Sequence, residues 1–185
     1  MALTLIKEDG TGKADANAYA DVADGDAYHD GHLYASAWTG ATADSKAAAL
    51  VMATRLIDSQ YQFGGVKTNA GQALQWPRLG CVDPDSNDVF ASLAPATWGP
   101  GSVPCDVVPK AVIEATCEMA RELLIVDRTA APAGEGLSYA NAGTTQTGYD
   151  KDDRRPVISR VAQAMLAKLG SLVRSKSGAV RLVRV

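Results

Sequence analysis

The chain has 185 residues, 46% of them apolar, and a formal net charge of −3. That length and apolar share suit one domain with a buried core and no disulfide or metal staple, and they exclude a wholly disordered chain. No run of 18 uncharged apolar residues occurs, which excludes a transmembrane helix, and residues 1–9 lack the basic-then-apolar order of a signal peptide, so a cytoplasmic product is expected.

Residues 1–20 are rich in Gly, Ala and Asp and read as an extended arm. From Asp21 to His32 a short helix is predicted, weakened by Gly25, which costs about 1 kcal/mol against Ala. A stronger helix follows, capped by Thr42 or Asp44. Its stripe is Ala47, Leu50, Val51, Thr54, Ile57 and Tyr61, and Gly64-Gly65 is expected to end it. Between residues 66 and 109 the prolines Pro77, Pro84, Pro95, Pro100 and Pro104 break every pattern. This segment still carries Trp76, Leu79, Val82, Phe90, Leu93 and Trp98, so it is predicted to wrap the helices and bury those side chains.

Pro109 opens the best helix of the chain, since proline suits a first helical turn. One stripe is Ile113, Thr116, Cys117, Ala120, Leu123 and Leu124. A second is Glu114, Glu118 and Glu122 at i, i+4 spacing, where like charges repel and a basic partner is expected opposite. Residues 129–155 are small and polar, and a β-hairpin is predicted near 136–149. Pro156 opens a last helix with Ile158, Val161, Ala162, Met165, Leu166, Leu169 and Leu172 on its apolar face. A turn at 175–178 leads to a β-prone, basic end at 179–185, of the kind that adds to a sheet edge. The pattern predicts a mainly α single domain: a small bundle of about four helices with a loop-rich wrap. Arms at 1–20 and 173–185 flank a body at 21–172.

Charge is unevenly spread. Residues 1–100 hold 12 acids and 6 bases, whereas residues 101–185 hold 9 acids and 12 bases. After Asp153 there is no acid, and eight bases follow: Arg154, Arg155, Arg160, Lys168, Arg174, Lys176, Arg181 and Arg184. A basic arm on an acidic body predicts docking on something negative, either nucleic acid or an acidic protein surface.

No catalytic constellation emerges. His29 and His32, near Asp26 and Asp30, could be half of a metal site, but no second ligand cluster accompanies them, and solvated polar groups are the better reading. The segment from Asp83 to Asp88 starts like a calcium loop, yet its sixth and twelfth positions are Asp88 and Ala94 instead of Gly and Glu. Gly10-Thr11-Gly12-Lys13 lacks the spacing of a phosphate-binding loop. Cys81, Cys105 and Cys117 are widely spaced and read as reduced thiols without a nearby His, and no Gly-x-Ser-x-Gly elbow exists. No enzyme activity, metal or cofactor is therefore expected. Single-stranded nucleic acid is a candidate ligand for the arm. The absence of Phe, Tyr and Trp after Asp153 argues against stacking and leaves plain phosphate contacts.

Several segments carry a resemblance. They are residues 16–28 (Ala-Asn-Ala-Tyr-Ala-Asp-Val-Ala-Asp-Gly-Asp-Ala-Tyr), Ala37-Trp38, the helix start Ser45-Lys46-Ala47-Ala48-Ala49-Leu50-Val51, Gly65-Val66-Lys67-Thr68, Gln72-Ala73-Leu74-Gln75-Trp76-Pro77-Arg78, and Val108-Pro109-Lys110-Ala111-Val112. Over about residues 14–125 this order resembles tailed-phage head–tail connector (adaptor) proteins, whose relatives also carry the label DnaT-like single-stranded-DNA-binding protein. The Trp-Pro-Arg segment is its most specific part, and the region after residue 129 departs most.

The connector resemblance implies a helical protein with no catalytic residues. It implies a homo-oligomeric ring of about twelve copies in the virion neck, made in the host cytoplasm. Its partners would be the portal protein, a tail or stopper protein, and DNA passing through the channel without sequence-specific binding, with no membrane. The portal-docking arm would comprise Arg174, Lys176, Val180, Arg181, Leu182, Val183, Arg184 and Val185. Subunit contacts would use Glu114, Glu118 and Glu122 against Arg160 and Lys168, with Arg78. Trp76 is expected in the core with its indole N–H on a backbone carbonyl, and Arg78 is expected to pair with an acid of its own chain or to meet a neighbouring subunit. The alternative is a single-stranded-DNA-binding replication accessory.

Overall fold

A computed structural model describes residues 3–82, 101–130, 139–142, 145–148 and 155–173. Helix α1 spans Val22–Asp30 and opens on a reciprocal cap: Asp21 accepts the Asp24 N–H, and the Asp24 carboxylate accepts the Asp21 N–H, each at 2.9 Å. Gly25, which by propensity weakens this helix, is required by packing. A Cβ there would stand 2.3 Å from the indole ring of Trp38. Trp38 lies on the four-residue helix α2, Ser36–Thr39, and its indole N–H donates to Asp26 at 2.8 Å.

Helix α3 runs from Ala43 to Gln60 with Thr42 as its cap; it buries Leu50, Val51, Thr54 and Ile57 as the spacing predicts, buries Ala49 and Ala53 as well, and leaves Ala47 half-buried. It ends before Gly64-Gly65, not at them. At Tyr61 the chain becomes extended and forms strand β1, Tyr61–Phe63, whose two aromatics are buried around an exposed Gln62. A short antiparallel pair follows, β2 (Val66–Lys67) with β3 (Arg78–Leu79). Trp76 is fully buried on this wrap, whereas Val82 is 66% exposed, against the expectation of burial. Phe90, Leu93 and Trp98 lie outside the described residues, as does the segment from Asp83 to Asp88.

Helix α4, Lys110–Ile125, starts after Pro109 and is the hub of the core. Val112, Ala115, Cys117, Met119 and Ala120 are fully buried on it, and it packs against α1, α2, α3 and α5. Strands β4 (Tyr139–Ala142) and β5 (Thr145–Gly148) form the antiparallel pair expected near 136–149.

The last helix is shorter than predicted. Helix α5 covers only Arg160–Leu166, capped by the Ser159 hydroxyl on the Ala162 N–H at 3.1 Å. The chain then turns and forms strand β6, Gly170–Leu172, antiparallel to β1 with Gly170 opposite Phe63. Helical periodicity through Leu169 and Leu172 is overridden because β1 offers a ladder edge. Gly170 allows the close approach, since a Cβ there would stand 2.6 Å from the Gln62 carbonyl.

The first twenty residues are not a free arm. Ala16, Ala18, Tyr19 and Ala20 are buried, Lys7 bridges to Ala18, and the Glu8 N–H donates to the Ala18 carbonyl at 2.9 Å. Among the described residues the result is a small mixed α/β fold of five helices and three two-stranded antiparallel ladders. None of the described helices is long and apolar enough to cross a membrane.

Candidate functional site

Strands β1 and β6 bring together segments about a hundred residues apart in sequence. The Val173 N–H extends their ladder by donating to the Gln60 carbonyl at 2.7 Å. Beside this ladder lies an open groove of about 440 Å³, walled by residues 62–65, 80–82 and 167–171. Four of these are glycines, so bare backbone forms much of the wall. Lys168 contributes the one charged side chain of the described lining, and Asp and Glu are absent from it. Arg174, Lys176, Val180, Arg181, Leu182, Val183, Arg184 and Val185, predicted as a docking arm, lie outside the described residues.

Of the six residues predicted for subunit contacts, Arg78 and Glu118 are buried and Glu114 and Glu122 are half-buried. The glutamates of α4 are already partnered within the chain. Glu114 meets Lys110 at 3.1 Å. Glu118, 1% exposed, meets Arg121 at 2.6 Å, and Glu122 meets Arg121 at 2.6 Å and Arg128 at 3.1 Å. Within the chain, the basic partners of the stripe come from the same helix and the loop after it. Arg160 and Lys168 are exposed.

Arg78 is a structural clasp. It is buried, and its guanidinium donates to five oxygens: the carbonyls of Phe63, Gly64, Gly65 and Gln75 and the Gln75 side chain, at 2.6–3.3 Å. None of the five is a carboxylate, so the expected pairing with an acid is replaced by carbonyl capture. This suits a planar fork of donors.

The other residues of the Trp-Pro-Arg segment meet the same knot. The Tyr19 hydroxyl donates to Asp58 and accepts the N–H groups of Gln75 and Trp76 at 3.0 and 3.2 Å. The second Asp58 oxygen accepts the Gln75 N–H at 3.0 Å. Burial pushes the Asp58 carboxyl up to about 6 and raises the Tyr19 hydroxyl well above its ordinary range. Gln72 donates to the Leu74 and Pro77 carbonyls at 2.9 and 3.0 Å. The peptide between Trp76 and Pro77 is cis. Trp76 is in the core as expected, but its indole N–H has no described partner, so the predicted bond to a carbonyl is absent.

Other candidate chemistry resolves into packing. The N–H groups of Gly10, Gly12 and Lys13 converge on the buried Glu8 carboxylate at 2.8–2.9 Å, so this loop already holds an anion from its own chain. His29 is buried, not solvated. Its Nε2 lies 3.2 Å from the Cys117 carbonyl, and burial lowers its pKa. His32 Nε2 lies 3.7 Å from Glu118. Among the described residues no group of three or more His, Cys, Asp and Glu could hold a metal ion. Burial pushes the Cys117 thiol up to about 12, far from a reactive thiolate.

Sequence reasoning found the basic segment but missed the groove beside it. The available signal was the recurrence of glycine at Gly64-Gly65, Gly80 and Gly170, which only the β1–β6 pairing gathers.

A family model described as "Putative DnaT-like ssDNA binding protein" matches residues 3–185. No curated protein and no solved structure matches significantly.

Proposed function

Because the chain belongs to this DnaT-like family, we propose that it is a single-stranded-DNA-binding accessory protein that holds the strand through phosphate contacts from its C-terminal basic segment. One observation carries the reading. No acid follows Asp153, eight bases do, and the described part of that segment ends on β6 beside an acid-free groove. Lysine and arginine on phosphates release condensed counterions, which supplies affinity without reading sequence. The segment has no Phe, Tyr or Trp, so stacking contributes little and binding is indifferent to base identity. The reading assigns no reaction, metal or cofactor.

Titration of a labelled oligothymidylate against the full chain at several salt concentrations tests it. Each neutralised phosphate contributes about 0.7 to the slope of log K against log salt for single strands. Ending the chain at Val173 removes Arg174, Lys176, Arg181 and Arg184, and the slope should fall by about 3. Absence of binding at low salt overturns the reading.

A second reading is favoured by a different observation. Residues 180–185, Val-Arg-Leu-Val-Arg-Val, are β-prone and basic, as suits a strand that adds to another protein's sheet edge. In that reading the chain is a head–tail connector, a ring in the virion neck between portal and tail or stopper. Native mass spectrometry of the chain mixed with a portal ring tests it. A closed multi-copy ring on the portal supports the connector, and a chain that ignores the portal removes it.

A further inference from the structure

We propose that His29 is an acid-released latch: the neutral ring holds the corner made by α1 and α2 against α4, and its protonation lets that corner lift while the rest of the body stays folded.

The ring is 2% exposed and three elements enclose it. Its Nε2 lies 3.2 Å from the Cys117 carbonyl of α4. The Trp38 ring of α2 and the Tyr28 ring of its own helix each stand 4.9 Å away between centroids. A carbonyl oxygen only accepts, so Nε2 carries the hydrogen and Nδ1 is the bare nitrogen. Nδ1 is buried and has no hydrogen-bond partner among the described residues. A second proton must go to Nδ1, where it makes a buried cation whose new N–H meets no acceptor.

The surrounding charges do not offset that cost. On its own helix His29 faces Asp26, which Lys46 of α3 holds at 2.7 Å, and His32 lies just beyond the helix end. On α4 it faces Glu118, which Arg121 holds at 2.6 Å. Each carboxylate has its own cation, so burial decides, and it keeps His29 below its ordinary 6.5. The closed corner thus binds the proton less tightly than the open one. Closure is unaffected above about pH 6.5 and weakens below it, by up to about tenfold per pH unit until the enclosed ring is itself protonated. Asp58 has the opposite sign, since its raised carboxyl strengthens the body as pH falls through about 6. Acid therefore favours opening at one corner over global unfolding.

Thiol labelling between about pH 5 and 7.5 with a dithiodipyridine, located by peptide mass spectrometry, tests the latch on the full chain. Cys117 is fully buried, and its thiol lies in the field of Asp21 and Asp24 at the start of α1, so it reports the corner. Cys81, 1% exposed with its Sγ 3.6 Å from the Leu169 carbonyl, reports the β1–β6 end. Relative to the urea-unfolded chain at each pH, protection of Cys117 should fall by up to about tenfold per unit below pH 6.5, while that of Cys81 holds. Equal losses at both thiols, or none at Cys117, overturn the proposal. His29→Gln keeps an N–H for the Cys117 carbonyl but does not titrate, and it should flatten the dependence. His32→Gln should preserve it, and the reverse pattern overturns the proposal. Nitrogen-15 NMR of the His29 ring reads the proton in the wild-type chain without any substitution. A midpoint below 6.5 is expected, and one at or above 6.5 overturns the latch even if neither variant folds.

Discussion

The Tyr19 hydroxyl donates to the Asp58 carboxylate and at the same time accepts the backbone N–H groups of Gln75 and Trp76. Two side chains 39 residues apart thus hold the loop that carries the Trp-Pro-Arg segment. The residues that make this sequence resemble a family are largely those that tie the wrap to α3. Tyr19→Phe should leave the buried Trp76 N–H unpaired and cost about 1–3 kcal/mol, read by urea unfolding. A loss below about 0.5 kcal/mol would show that water replaces the hydroxyl.

Asp58 makes the same knot pH-sensitive. Burial raises its carboxyl from 3.8 to about 6, so the folded state binds the proton more tightly than the unfolded chain. Its contribution is fully present below the unfolded value and is lost as pH rises through about 6, a swing of up to about 3 kcal/mol. Asp26 has the opposite sign. Lys46 and the Trp38 indole hold its carboxyl below the ordinary range, so its contribution is lost only as pH falls beneath that range. Urea unfolding between pH 4 and 6.5 should show Asp58→Asn flattening the decline, and an unchanged slope in the variant would refute the assignment.

Arg78→Lys should not behave as a conservative change. A single ammonium cannot reach five oxygens that a guanidinium spans, and several buried carbonyls lose their donor. The expected cost is about 2–4 kcal/mol. An interface role would instead leave the stability of the isolated chain near that of the wild type, so thermal unfolding separates the two.

Gly25→Ala tests packing against propensity. Alanine is favoured in a helix interior by about 1 kcal/mol. Its Cβ, however, would stand 2.3 Å from the Trp38 ring, with backbone on one side and a fully packed indole on the other. Net destabilisation is expected, together with a change in the near-ultraviolet signal of tryptophan. A stabilised variant would mean that α2 yields freely.

The Glu118–Arg121 pair should show strong coupling. Arg121→Met leaves the carboxylate of Glu118, 1% exposed, without its partner at 2.6 Å, at a cost of about 3–5 kcal/mol. Adding Glu118→Gln should recover much of that loss. If the two single changes simply add in a double-mutant cycle, the pair is not a unit.

The sequence by itself determined the elements whose signals are local. The start of α1 near Asp21, a cap for α3 at Thr42 or Asp44, the apolar stripe of α3, the start of α4 after Pro109 and the β4–β5 pair all depend on residues within a turn or two of each other. It also displayed the basic C-terminal segment, because charge needs no fold to be counted. Tertiary structure alone decided the rest. Residues 3–20 pack as part of the body because Tyr19 finds Asp58 and Glu8 finds the N–H groups of Gly10, Gly12 and Lys13. Arg78 reads like a surface cation until the carbonyls of Phe63, Gly64 and Gly65 surround it. The glutamate stripe reads as an open face until Arg121 and Arg128 close it. Helical periodicity carries through Leu169 and Leu172, yet Gly170 pairs with Phe63, and that pairing also creates the groove. The outcomes at Tyr19, Arg78 and Gly170 are set by partners far away in the chain, whose hydrogen-bonding groups outweigh a local preference of a few tenths of a kcal/mol per residue, whereas Glu8 and the α4 glutamates are closed by neighbours within six residues.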